Sequence, residues 1–574
     1  MGRAWCTILG LAIAASLVVW VMWLRSPAGA LAPTSSHEKS TPDASPDLAA
    51  RDSAGSLVFR ATELPFRYER GDSGAAWPVE PVGGGVGIAD FDGDGWPDLF
   101  FAQGVPLPTG KDPNAPADVL LRNLGGGQFE DISPTAGLAS KGYGIGLTIA
   151  DFDSDGFPDV YVTRYGANTL WHNEGDGRFR DVTAEAGVGC DLWSISAAFA
   201  DIDGDGNLDL FVANYFTFNP AEAPFARDPI TGAADYGAPA TFPGQPDVLY
   251  RNDGDGHFTN ITASSGIHDE GRGMGVLASD FDGDGLIDFF VANDAQHNAL
   301  WHNLGNGRFE DVALSWGVAV NSQGEAEANM GIAYADTDGD GVPDILVSHL
   351  VNEHDTLWRG RHSAGGVFFR DETFEAGLGV DSRRLTGWGT AFSDFDQDGW
   401  VDLIVVNGHI RREANQPFVY ENPPILWHNR GGRFANVTAT AGPYFQSLHI
   451  ARGLACGDLD GDGRPDLVVV HHYKPSAVLW NETPPRGNSL LVRLRGVASN
   501  RDAIGARLVA TAGDRTLVRT LDGGGSYASA NDARVHFGLG PPSKLDRLDI
   551  HWPSGRTQTL SDLSLPASIT VREE

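Results

Sequence analysis

Residues Asp90–Asp98 read DFDGDGWPD, and the chain writes this nine-residue phrase seven times. It returns as DFDSDGFPD at Asp151, DIDGDGNLD at Asp201, DFDGDGLID at Asp280, DTDGDGVPD at Asp336, DFDQDGWVD at Asp394 and DLDGDGRPD at Asp458, at steps of 50 to 79 residues. A phrase recurring at such a period marks a repeat architecture. Aspartate fills positions 1, 3, 5 and 9 of every copy: Asp90, Asp92, Asp94 and Asp98; Asp151, Asp153, Asp155 and Asp159; Asp201, Asp203, Asp205 and Asp209; Asp280, Asp282, Asp284 and Asp288; Asp336, Asp338, Asp340 and Asp344; Asp394, Asp396, Asp398 and Asp402; Asp458, Asp460, Asp462 and Asp466. Position 6 is always Gly, the residue that permits a sharp turn. Calcium takes six to eight oxygen ligands, and carboxylates at alternate positions of a tight loop converge on such a hard cation. Position 7 (Trp96, Phe157, Asn207, Leu286, Val342, Trp400, Arg464) shares no side-chain chemistry, as expected where the backbone carbonyl is the ligand. The loop resembles the front of an EF-hand, but its last acid stands at position 9 and no long amphipathic helix flanks it, so an EF-hand is excluded. Asp-Gly turns alone would not demand a fourth aspartate at a fixed offset in every copy. The expectation is up to seven Ca2+ ions, magnesium being the poorer fit because it retains its waters.

A short apolar run precedes each loop (VGIAD, LTIAD, AAFAD, VLASD, IAYAD, TAFSD, LACGD) and an apolar, β-rich run follows it (DLFFA, DVYVT, DLFVA, DFFVA, DILVS, DLIVV, DLVVV). Then comes a second phrase, as in LWHNEGDGRFRDVT or LYRNDGDGHFTNIT, whose Gly-rich centre between apolar runs signals a hairpin. Each repeat therefore reads as four short strands, with the acidic loop between the first two. Seven such units predict an all-β, seven-bladed β-propeller over residues 57–485, a fold that leaves only short, protected edges. The fifth repeat departs from the pattern with LWRGRHSAGGVFFRDET. The seventh stops at Leu479–Thr483 without a fourth strand, and Leu57–Glu63 loosely matches what is missing. That N-terminal segment is expected to complete the last blade and close the ring.

The acidic loops resemble the FG-GAP or VCBS-type repeats of integrin α-chain propellers. The tail, 486–574, resembles an ASPIC/UnbV domain through SNRDAIGARL (Ser499–Leu508), GGGSYASAND (Gly523–Asp532), HFGLG (His536–Gly540) and HWPSG (His551–Gly555). The pairing is similar to that of the cartilage acidic protein family and its bacterial relatives, which implies a secreted or cell-surface calcium-binding protein. Alternating runs at Leu490–Arg495, Ala506–Thr511, Thr516–Leu521 and Leu545–Trp552 point to a small C-terminal β-sandwich-like domain.

The formal charge is −35, and the loops supply 28 of the 76 acidic residues. Much of the acidity is thus stored in cation sites, and nucleic acid is excluded as a partner for such a field. The tail holds 12 Lys+Arg against 9 Asp+Glu, so a mildly basic domain follows an acidic one. At the N-terminus, Arg3 leads an uncharged run from Ala4 to Leu24, and Ala28-Gly29-Ala30 matches a small-residue cleavage pattern. Residues 1–30 read as a signal peptide or an uncleaved membrane anchor; both place the remainder outside the cytoplasm, secreted, periplasmic or held at the surface. Residues 31–56, rich in Ala, Ser and Pro, read as a flexible linker. Cys190 and Cys456 are read as separate packed thiols.

In a four-stranded blade the acidic loop and the hairpin between the third and fourth strands share one face, and the remaining connections emerge on the other. The long insertions (103–117, 215–246 and 407–424) all fall on that other face, and loops of this length are usually functional or disordered. Tyr143, Arg164, Trp193, Arg272, His297, Arg383, Arg384, Trp388, His409 and Arg452 lie on its connections, a candidate surface for a protein, glycan or anionic ligand. His172, His302 and His428 of the LWHN phrase are read as blade packing. Binding, adhesion or surface interaction is the leading functional class. The alternative is an extracytoplasmic enzyme, a lyase, a hydrolase or a biosynthesis-associated one, acting on the same face, although no catalytic set is legible.

Overall fold

The apolar run before each acidic loop forms the first strand of a four-stranded antiparallel sheet, and the run after it the second. In blade two the strands are Tyr143–Ala150, Asp159–Tyr165, Thr169–Asn173 and Phe179–Asp181, paired in that order. The computed structural model, which describes residues 57–574 apart from 108, 110–113, 221–225, 228–233, 269, 364–365 and 412–419, contains seven such sheets. The leader or anchor (1–30) and the linker (31–56) lie outside the described residues. Among the described residues, no helix is long and apolar enough to cross a membrane.

The ring closes as expected. Phe59–Glu63 supplies the fourth strand of blade seven, with Phe59 opposite Asn481 and Glu63 opposite Ala477. Joining the two ends of the ring in one sheet removes the free edge that a seven-sheet array would otherwise expose. First strands of neighbouring blades lie against one another, so they form the inner wall. The first and second strands are buried on both faces, which is why they read as continuous apolar runs and not as an alternation. Adjacent sheets share cores, such as Phe100, Val160, Val162 and Trp171 between blades one and two.

The C-terminal domain is a sandwich. A three-stranded sheet (Val535–Gly540, Asn488–Arg495, Ala567–Arg572) faces a four-stranded one (Arg515–Thr520, Arg507–Ala512, Lys544–His551, Thr557–Ser564) over Leu490, Val492, Leu508, Phe537, Leu548 and Ile550. It sits on the acidic-loop face, where Arg493 reaches Asp90, Arg501 reaches Asp151, and the main-chain carbonyl of Asp458 accepts from Arg534.

From this domain, Gly523–Asp532 enters the centre of the ring. Gly523–Gly524 pairs with the first strand of blade four, Ser526 exchanges backbone hydrogen bonds with Ile332 of blade five, and Ala530 does so with Val86 and Ile88 of blade one. Tyr527, at the turn, is wholly buried; its Oη donates to Val82 O at 2.7 Å and its ring meets Trp388 edge-on at 4.8 Å. The glycines are dictated by close approach: a Cβ on Gly523 would lie 2.2 Å from Phe199 O, and one on Gly524 2.4 Å from Val276 O. With Tyr68, Tyr143, Trp193 and Tyr215, Tyr527 belongs to one buried aromatic cluster at the centre of the ring.

Candidate metal loops and the opposite face

Each acidic loop is wound by its own carboxylates. In loop one, Asp90 Oδ2 accepts from Gly95 N at 3.1 Å, Asp92 Oδ1 from Asp94 N at 3.1 Å, and Asp94 Oδ1 from Trp96 N at 2.9 Å. Gly95 takes φ 95°, and its six counterparts lie between 83° and 105°, the left-handed region that makes Gly the favoured residue there. The ninth-position aspartate has a second task. Asp98 Oδ2 accepts from Phe91 N at 3.1 Å and its Oδ1 from Asn123 N at 2.8 Å, tying the loop to the third strand. The same pair of bonds recurs at Asp159, Asp209, Asp288, Asp344, Asp402 and Asp466.

Oxygens left over at the loop centres match the donor chemistry of a hard cation. Asp90 Oδ1, Asp151 Oδ1, Asp338 Oδ1 and both side-chain oxygens of Asp396 are buried acceptors without a hydrogen-bond donor. Within loops one and two, oxygens of the first three aspartates lie within 4.8 Å of one another. Burial pushes Asp98, Asp151, Asp209, Asp344 and Asp394 each up to about 8. Carboxyls in that state hold a proton at neutral pH unless a cation stands beside them. Arginines provide part of that charge. Arg122 lies 2.6 Å from Asp92, Arg361 3.0 Å from both Asp338 and Asp340, and Arg486 3.0 Å from Asp396, whereas among the described residues loop three has no ion pair.

The histidines expected to pack inside blades instead face the acidic loops. His172 Nδ1 lies 3.2 Å from Asp159, His302 Nδ1 3.1 Å from Asp288, and His428 Nε2 3.1 Å from Asp396. Burial alone would lower His428, but the carboxylates of Asp396, Asp398 and Asp402 push it up to about 10. The reason is strand geometry: the residue before the phrase's Asn points out of the sheet toward the loop of its own blade. That Asn, also unassigned from sequence, joins neighbouring blades. Asn173 Nδ2 donates to Phe91 O in loop one at 2.8 Å and Asn303 Nδ2 to Ile202 O in loop three at 2.9 Å, and Asn123, Asn252, Asn429 and Asn481 act likewise. Its recurrence in six of the seven repeats, with Gly360 in its place in the fifth, was the available signal.

On the other face the structure divides the ten candidate residues. His297, Arg383 and Arg384 are exposed. The other seven are buried and hold the face together from within. Arg164 pairs with Asp118 at 2.5 Å, both about 1% exposed, and Asp118 also accepts from Trp171 Nε1. Arg452 lies 4.0 Å above the Trp388 ring and donates to the carbonyls of Gly408, Ala451 and His409. Tyr143 donates to Arg70 O, Trp388 to Gly408 O and Arg272 to Phe242 O; His409 bonds Thr386, and Trp193 packs edge-on against Tyr165, Tyr215 and Phe216. Expected on connections, Tyr143, Arg164, Trp388 and Arg452 instead lie within first and second strands, near their ends, where the strands turn their side chains into the packed interior.

What faces outward is a different set. Tyr236 from the blade-three insertion, Arg411 and Tyr420 from that of blade six, and Tyr473 from blade seven line an open pocket with Ala76, Glu421 and Ile450. The buried Arg70 donates to Tyr420 Oη at 2.7 Å and to Tyr236 Oη, and lies 5.3 Å from the Tyr473 ring centre. Tyr473 is 45% exposed with φ 64°, a strained conformation for a bulky residue.

A family model for the FG-GAP-like repeat matches residues 90–162, 151–212, 240–291, 280–347 and 394–469, and one for ASPIC and UnbV matches 496–574. Cartilage acidic protein 1 of Xenopus tropicalis is 28% identical over 319 residues, 53% of this chain and 45% of that protein. Its Homo sapiens counterpart is 28% identical over 315 residues, 52% of this chain and 43% of that one, so the match spans less than half of these relatives. Among solved structures, YCF48 bound to D1 peptide aligns at a TM-score of 0.39 and 7% identity, covering 75% of this chain and 98% of that one. An Agrocybe aegerita lectin recognising non-reducing terminal N-acetylglucosamine aligns at 0.37 and 17% identity, covering 72% and 86%.

Proposed function

Since this chain belongs to the FG-GAP-like repeat family and ends in an ASPIC and UnbV domain, we propose that it is an exported, calcium-stabilised propeller that binds a protein or glycan ligand on the face opposite its acidic loops. The observation that carries this reading is the meeting of Tyr236, Arg411, Tyr420 and Tyr473, from three different blades, around one open pocket on the insertion face. Aromatic rings with polar tips supply contact area at low entropic cost, and a guanidinium adds directional donors. The acidic-loop face is occupied by the C-terminal domain, which leaves the insertion face for a partner. Loop aspartates at the first, third and fifth positions, such as Asp280, Asp282 and Asp284 of the fourth loop, would hold calcium, whose charge offsets carboxylate repulsion in the folded state. Export is supported by the likeness to cartilage acidic protein 1.

The test is a screen of the full chain against glycan and peptide arrays in calcium, repeated with Tyr473→Ala and Arg411→Ala. Loss of the leading ligand in both variants is expected. A ligand that binds both variants at full strength while competing with changes at Arg122 on the acidic face would overturn the assignment.

A further inference from the structure

The blade-six loop differs from the others in what closes it. Strand Val535–Gly540 of the C-terminal domain lies directly on it: a Cβ on Gly538 would stand 1.9 Å from Asp394 Oδ2, and Gly540 N donates to Gln397 O at 3.0 Å. Asp394 and Asp396 are 1% and 0% exposed beneath it. Into this closed loop points His428, 3% exposed, with Nε2 3.1 Å from Asp396 Oδ2 and 3.6 Å from Asp398 Oδ2. Despite that proximity, His428 Nε2 and Asp396 Oδ1 have no partner at hydrogen-bonding geometry, and Asp396 Oδ2 is met by the Arg486 guanidinium as an ion pair at 3.0 Å. Two ligand atoms bound to one metal at about 2.0–2.2 Å stand about 3–3.5 Å apart without being aligned as donor and acceptor. His172 and His302 differ, because each makes a hydrogen bond from Nδ1 to its ninth-position aspartate.

Charge leaves room for a further cation. Arg486 pairs with Asp396 and Asp398, Arg515 reaches the Asp398 carbonyl oxygen, and Arg519 faces Asp394. Those three cations fall one short of the loop's four carboxylates, and either a proton on His428 or a bound metal ion makes up the difference, since uncompensated charge in a shielded site is costly. A hard cation has no use for an imidazole nitrogen, whereas borderline d-block ions take imidazole and carboxylate together.

We propose that His428, Asp396 and Asp398 form a site for a borderline divalent transition-metal ion, of which zinc is the type, so that the sixth loop is chemically distinct from the calcium loops. The site rests on these residues and not on the ligand pocket of the opposite face, so failure of either assignment leaves the other standing.

The competitor for this position is a proton on His428. To separate the two, the full chain is equilibrated with zinc in about 1 mM calcium, freed of unbound metal by gel filtration in the same calcium, and analysed by elemental mass spectrometry. About one zinc per chain is expected, falling to near zero in His428→Gln and unchanged in His302→Gln. Manganese loaded in place of zinc supplies a readout on the wild-type chain, independent of whether the variant folds: pulsed electron paramagnetic resonance should show nitrogen-14 coupling from one imidazole. Zinc washed out by calcium, zinc retained in full by folded His428→Gln, or manganese bound with no nitrogen coupling would each overturn the proposal.

Discussion

Tyr527 is the point at which the C-terminal domain grips the ring, and its removal has a magnitude that follows from its contacts. Tyr527→Phe keeps the ring against Trp388 but strips Val82 O of its donor in a fully buried setting, a loss of about 1–3 kcal/mol. Tyr527→Ala also empties the volume of the ring, and such truncations cost about 3–5 kcal/mol. Unfolding entropy of about 2.1 cal/mol/K per residue, over the roughly 500 residues of propeller and sandwich, gives about 1.1 kcal/mol/K. Melting should therefore fall by about 1–3 °C for Phe and about 3–5 °C for Ala when scanned by calorimetry at fixed calcium. Because Gly523–Asp532 bonds to strands of several blades, propeller and sandwich should melt together in the wild type, whereas Tyr527→Ala should split the transition and expose Pro484–Asn488 to protease. An Ala variant with an unchanged melt and a single transition would refute the idea that this segment is a structural axle.

Three further outcomes are expected. At a tenfold excess of calcium over Kd each occupied loop adds about 1.4 kcal/mol, so chelation should remove on the order of 10 kcal/mol across the ring and lower the calorimetric midpoint by about 9 °C; an unchanged melt in excess EDTA would sink the calcium assignment. Asn303→Ala, which deprives Ile202 O and Ile287 O of their donor, should cost about 1–3 kcal/mol by denaturant melt without altering ligand capture; a neutral result would show that this asparagine does not join its blades. Glu573 is the case for pH: burial would raise it, but the backbone N–H groups of Ser499, Val497 and Ala498 and the Ser554 hydroxyl hold it down to about 2. A depressed carboxyl stabilises above its unfolded value of about 4.3 and loses that contribution as pH falls toward 2. The stability gap between the wild type and Glu573→Gln, followed by chemical melts, should thus be widest near neutral pH and shrink below about pH 4; a gap that stays constant would contradict the assignment.

Much of the architecture was legible because the propeller is written locally. The Asp-x-Asp-x-Asp-Gly phrase fixes a loop through bonds among nine neighbouring residues, and the apolar runs on either side have no other way to be buried. Even the closure by Phe59–Glu63 could be read, since a missing strand at one end matched a spare one at the other. The candidate ligand residues fared differently. Arg164, Trp193, Trp388 and Arg452 are polar or aromatic residues next to the connections of that face, which in sequence looks like a surface. Whether a connection turns inward depends on what fills the axis, and Tyr527 arrives there from another domain.

The sequence by itself determined the repeat, the blades and the carboxylate chemistry of the loops, because each depends on residues close together in the chain. Tertiary structure alone decided that His428 faces an acidic loop, that Gly523–Asp532 needs its glycines to pass beside strand carbonyls, and that Tyr236, Tyr420 and Tyr473 meet at one pocket. These contacts join residues tens to hundreds of positions apart. No local periodicity records them, since they form only when seven blades close around a common axis.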